Sequence, residues 1–156
     1  MPITSRVFVK ASLVYLGLGA VLGALLLINR WIPLGAAVAS LRVVHVEFLV
    51  MGWVTQFIVG VAWWLFPPLA ISPASAAAGP PRRGQAQRGS EPLFWVTFAF
   101  LNAGILLHAV VGPLYSRTEN EVLGFLVSLS GLFVLVAALS FVLNMWRRVR
   151  EPGSRK

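Results

Sequence analysis

Residues 41–66 read Leu41-Arg42-Val43-Val44-His45-Val46-Glu47-Phe48-Leu49-Val50-Met51-Gly52-Trp53-Val54-Thr55-Gln56-Phe57-Ile58-Val59-Gly60-Val61-Ala62-Trp63-Trp64-Leu65-Phe66. Crossing the hydrocarbon takes a run of roughly 18 or more apolar residues, and this run exceeds that. Its apolar residues do not alternate as those of a barrel strand would, and at about 1.5 Å per residue it reaches across the bilayer as a helix. Residues 7–28, 93–115 and 122–146 form three further runs of the same kind. With 156 residues, 58% of them hydrophobic, and a mean hydropathy of +0.81, four spans leave no room for a soluble domain. The pattern predicts an all-α membrane protein, a four-transmembrane-helix bundle occupying residues 1–156 as one membrane domain.

The net charge of +8 points to nucleic acid only if its placement is ignored. Arg6, Lys10, Arg82, Arg83, Arg88, Arg147, Arg148, Arg150, Arg155 and Lys156 fall at the two termini and in the second loop, whereas the first and third loops carry only Arg30, Arg42 and Arg117. Basic residues collect on the cytoplasmic side of membrane proteins, so both termini are expected there, in a bacterial-type inner membrane. The bilayer is the first partner, and no nucleic-acid partner is expected. Residues 71–92 are rich in Pro, Ala, Gly, Ser and Arg, the composition of a flexible cytoplasmic linker. Residues 29–40 include Trp31 and Pro33 and are expected along the opposite interface.

Two histidines, His45 and His108, are the only ones in the chain, and both fall inside spans. Ionisable side chains are expensive in a bilayer, so such residues are functional candidates by default. Helix geometry places His45 roughly 6 Å and His108 roughly 10 Å below the same membrane face. On helical spacing His45 shares a stripe with Arg42, Leu49, Gly52 and Gln56, and His108 shares one with Thr97, Leu101, Gly104, Gly112 and Tyr115. Two imidazoles at one depth on different helices suit bis-His ligation of a haem. In that reading Gly52 and Gly104 clear space for a flat ring, and Arg42 meets a propionate. Close helix packing is the plainer account of the glycines.

The run from Leu41-Arg42 and His45, through Gly52-Trp53 and Gly60, to Leu65-Phe66-Pro67 resembles the second transmembrane helix of haem–copper oxidase subunit I, in the nitric oxide reductase and cbb3-type branch. The resemblance implies that His45 is an axial ligand of a low-spin haem b. It covers mainly residues 41–68. That family has many more helices than four, and its second low-spin ligand and its histidine cluster for high-spin haem and copper lie on helices with no counterpart here. The expectation is therefore a haem b and no copper, with the sixth ligand from His108, from His45 of a second copy, or from a partner subunit.

The remaining residues narrow the function. Zero cysteines exclude disulfides and iron–sulfur ligation. There is no Asp, and no nucleophile–base–acid set or paired carboxylate, so no catalytic residue is expected, and a subunit of an oxidoreductase is expected rather than an enzyme on its own. Glu47 points about 200° away from His45, where it lines a proton or quinol path or snorkels to the interface. Gln56 needs a hydrogen-bond partner at its depth. Three functions fit: an electron-transferring haem b protein working as a homo-oligomer or among respiratory-complex subunits, a haem-free accessory or assembly subunit of such a complex, or a haem-based gas or redox sensor.

Overall fold

A computed structural model describes residues 1–66, 89–146, 148 and 149. The expected 71–92 linker lies almost wholly outside the described residues. Among those residues there is no strand, and four helices are long and apolar enough to cross a membrane. They are α1 (Ile3–Trp31), α2 (Ala36–Leu65), α3 (Glu91–Thr118) and α4 (Glu121–Trp146). Each core matches an expected span, and most ends run further. α1 continues to Trp31, and α2 opens with a short turn, Ala36–Ser40, ahead of Leu41. The interfacial connection thus shrinks to a few residues, because helical backbone satisfies its own polar groups at the membrane edge.

α1 packs along α2, and α3 packs along α4, giving two antiparallel hairpins. α3 ends where Glu119 adopts a left-handed φ of 49°, and Asn120 restarts the chain, its side chain accepting from the Val122 backbone N–H at 2.9 Å. At the other end of the bundle Asn144 joins the hairpin's open ends. Its Oδ1 accepts from the Ser90 N–H at 2.9 Å and its Nδ2 donates to the Ser90 carbonyl at 2.9 Å. Gly89 allows this clasp, since its φ is +99° and a Cβ there would lie 2.6 Å from Asn144 Oδ1. Lipid-facing sides stay apolar, as with Leu27, Phe125 and Leu143.

The hairpins meet at the end carrying the termini through an aromatic cluster. Trp63 of α2 stacks on Phe94 of α3 at 4.2 Å between ring centroids, and Phe8 of α1 packs against Phe94 and Phe98 at 4.5 and 4.9 Å. Gly60 lets α1 approach, because a Cβ there would sit 2.8 Å from Phe8 Cβ. Arg148 covers the cluster and is 1% exposed. Its Nη2 donates to the carbonyls of Trp63 and Phe66, at 3.0 and 2.5 Å, and its guanidinium lies 5.0 Å from the Trp63 ring. These carbonyls belong to the last turn of α2, where helical acceptors lack partners and a cation is favoured. Arg148→Ala strands both carbonyls. It is expected to destabilise the protein by about 1–3 kcal/mol, read as a lower midpoint of thermal unfolding in mild detergent, and Arg148→Lys, which lacks the planar fork, is expected to recover only part of the loss.

Candidate functional site

The polar groups of the spans gather on α2 and divide between its two sides. Halfway along it, Phe48–Thr55 is wound as a π-helix, and Thr55 Oγ1 donates to the Val50 carbonyl five residues back at 2.9 Å. Such wide turns cluster at functional sites. Of the stripe legible in the sequence, His45, Leu49 and Gly52 face α1 across this change of winding, whereas Arg42 turns toward α3. A Cβ on Gly19 would lie 2.7 Å from Leu49 Cδ2, and one on Gly52 would lie 2.5 Å from the Tyr15 ring.

His45 belongs to that side. Its Nδ1 lies 2.8 Å from the carbonyl oxygen of Gly19. A carbonyl can only accept, so Nδ1 carries the proton and donates. In the neutral ring this leaves the lone pair on Nε2, which makes no hydrogen bond to another described residue. The ring lies over Gly23, where a Cβ would come within 2.7 Å of His45 Cε1. Gly19 and Gly23, which read in sequence as a small-residue helix contact, therefore hold this imidazole between α1 and α2.

Glu47 and His108 occupy the other side. His108 Nδ1 and Glu47 Oε2 are 2.5 Å apart, with side chains 27% and 11% exposed. A proton between them makes the contact a single short hydrogen bond, whichever partner carries it. Pairing is the general way such groups persist within a membrane. Glu47 thus bonds across to α3 rather than reaching to the interface. Gly112, one turn along α3, makes room for the imidazole, as a Cβ there would lie 3.1 Å from His108 Nε2. Next to the pair is a cavity of about 500 Å³ between α2 and α3, lined by Arg42, Val43, Val46, Glu47, Val50, Met51 and His108.

The five residues singled out in the sequence are therefore distributed. Arg42 and His108 line one cavity, and His45 lies on the opposite side of α2 with α1. Gly52 is filled by Tyr15. Gly104 is filled by α4, where a Cβ would meet Val134 Cγ2 at 2.8 Å and the Ser130 carbonyl at 2.9 Å. Both glycines serve close helix contact here, and neither faces an open slot.

Sequence reasoning missed the Glu47–His108 pair, though a signal was present. Two residues beyond His45, Glu47 is roughly 9 Å below the membrane face, nearer the depth of His108 than His45 is. It also missed Tyr15, whose hydroxyl donates to Asn102 Oδ1 at 3.0 Å while Asn102 Nδ2 donates to the Phe98 carbonyl at 2.8 Å. Gln56 is fully buried, and neither side-chain polar atom has a partner among the described residues. Among those residues no group of three or more His, Cys, Asp or Glu converges as a metal site would.

Comparisons with family profiles, curated proteins and solved structures find no match to this chain.

A double-mutant cycle tests the pair. Glu47→Gln and His108→Gln are each expected to lower the unfolding midpoint in detergent, with the double variant losing less than the sum, a coupling of about 0.5–3 kcal/mol. Additive losses would mean that the two side chains do not act together.

Proposed function

We propose that this chain is a multi-pass protein of a bacterial-type inner membrane that holds a haem b and carries electrons within a respiratory assembly, with His45 as one axial ligand. The observation that carries the reading is the hydrogen bond from His45 Nδ1 to the Gly19 carbonyl. A ligating histidine commonly donates its other ring N–H to a carbonyl or carboxylate, which fixes both tautomer and ring orientation. The resemblance of α2 to the second helix of haem–copper oxidase subunit I adds weight, since the matching histidine there is a haem ligand. Both termini are assigned to the cytoplasm from the distribution of basic residues. His45 then lies in the outer half of the bilayer.

Of the described residues, His45 would hold the group, through the Nε2 that its bond to Gly19 leaves free. His108 is oriented by Glu47 in the same manner but on the other side of α2 from His45, so a second ligand to the same iron would come from outside the chain, either His45 of a second copy or a partner subunit. A bound haem b supplies one-electron chemistry at its iron. The chain orients the imidazole through Gly19, keeps it against Gly23, and surrounds it with apolar helix.

One observation favours a second reading. Both imidazoles already make hydrogen bonds between helices, and both candidate slot glycines are packed against other helices. A haem-free accessory subunit would use its histidines in this way.

Reduced-minus-oxidised spectra and a pyridine haemochrome assay on protein made with added haem decide between them. The haem reading expects low-spin b-type bands, at one haem per two chains if His45 is shared. His45→Ala is expected to abolish them, and His108→Ala to keep them. Gly23→Ala, which pushes a methyl into the imidazole, is expected to weaken haem retention roughly 10–100-fold. Folded protein without haem would leave the accessory reading standing.

A further inference from the structure

The seam between α1 and α2 keeps one register along its length. Gly23 meets His45, Gly19 meets Leu49, Tyr15 meets Gly52 and Phe8 meets Gly60. Each step along α2 is matched by nearly the same step back along α1, as antiparallel helices require. The pair that this register sets between Tyr15–Gly52 and Phe8–Gly60 is Ser12 with Gln56. Gln56 is four residues from Gly52 and four from Gly60, so all three lie on one side of α2. Ser12 and Gln56 are both fully buried.

Among the described residues, neither Nε2 nor Oε1 of Gln56 has a hydrogen-bond partner. A primary amide brings two donors and an acceptor, and burying them unmet costs their full desolvation. Ser5 Oγ is buried and unpartnered too, but a serine hydroxyl has one proton and reaches a carbonyl of its own helix by rotating. Ser12 does this, its Oγ donating to the Val9 carbonyl at 2.8 Å. That bond spends the hydroxyl's proton and leaves lone pairs that only accept. A group between Ser12 and Gln56 must therefore accept from Nε2 and donate to both Oε1 and the Ser12 hydroxyl. An acyl chain does neither, and a cation finds no carboxylate there. Water does both, and buried waters make about three hydrogen bonds to groups otherwise unmet. We infer that this seam holds one ordered water, accepting from Gln56 Nε2 and donating to Ser12 Oγ, which bridges α1 and α2 inside the membrane. The inference goes beyond the haem reading and does not require it, because neither residue holds His45.

The test is proton-detected solid-state NMR of the full chain in phosphatidylcholine bilayers, with nitrogen-15 in the glutamine side chains. Gln56 shares its residue type with Gln85 and Gln87 alone, and its signal is assigned by its loss in Gln56→Met. Magnetisation started on water is expected to reach the Gln56 amide protons at short mixing times. Ser12→Val, which removes the acceptor and puts methyl groups in the water's place, is expected to abolish that transfer while circular dichroism shows an intact helical fold. His45→Ala is expected to leave it as in the parent, so that loss of haem and loss of this site are read separately. No transfer to Gln56 in the folded parent overturns the assignment, and needs no variant to be read. So does undiminished transfer in folded Ser12→Val. A Gln56 amide that responds to Ser12→Val without any transfer from water overturns it as well, and would make the contact a direct side-chain hydrogen bond.

Discussion

A polar or ionisable side chain within the hydrocarbon needs a partner inside the protein, and His45 and Glu47 of α2 each meet that requirement on a different neighbouring helix. His45 bonds to a backbone carbonyl of α1, while two residues later Glu47 bonds to His108 of α3. Residues two apart on a helix face nearly opposite directions. One short stretch of α2 is therefore tied to both neighbours, and the α1–α2 hairpin is held to the α3–α4 hairpin at that depth. The aromatic cluster under Arg148 ties them again at the end carrying the termini.

These polar ties depend on small residues placed beside them. Gly23 and Gly112 give the two imidazoles somewhere to lie, and Gly19 lets α1 close on Leu49 while its carbonyl accepts from His45. Gly52 and Gly104 bring Tyr15 and α4 within contact distance. Between the ties lies the cavity, where Glu47 and His108 remain partly accessible beside Arg42. One side of α2 thus presents a positioned imidazole nitrogen and the other a carboxylate–imidazole pair open to the bilayer.

The four spans were legible because crossing a membrane sets length and apolarity together, and both can be read along one chain. The direction in which each side chain turns was not legible, since neighbours decide it. Of the stripe drawn through Arg42, His45, Leu49, Gly52 and Gln56, His45, Leu49 and Gly52 meet α1 while Arg42 lines the cavity beside α3, and nothing in the spacing distinguishes one neighbouring helix from the other. The pairing of Glu47 with His108 spans 61 positions and left only a match in depth. The roles of Gly52 and Gly104 needed the positions of Tyr15 and Ser130, which no local pattern supplies. Arg148 read as one more basic residue near the C-terminus, and its burial depends on the free carbonyls at the end of α2.

The division of α2 into two sides is tested most directly by nitrogen-15 NMR of the two imidazoles in lipid bilayers, each assigned by substitution of the other. The account predicts that Glu47→Gln shifts the His108 ring nitrogens and leaves those of His45 in place, with the His45 proton on Nδ1. A spectrum in which Glu47→Gln moves His45 and leaves His108 unchanged would contradict it.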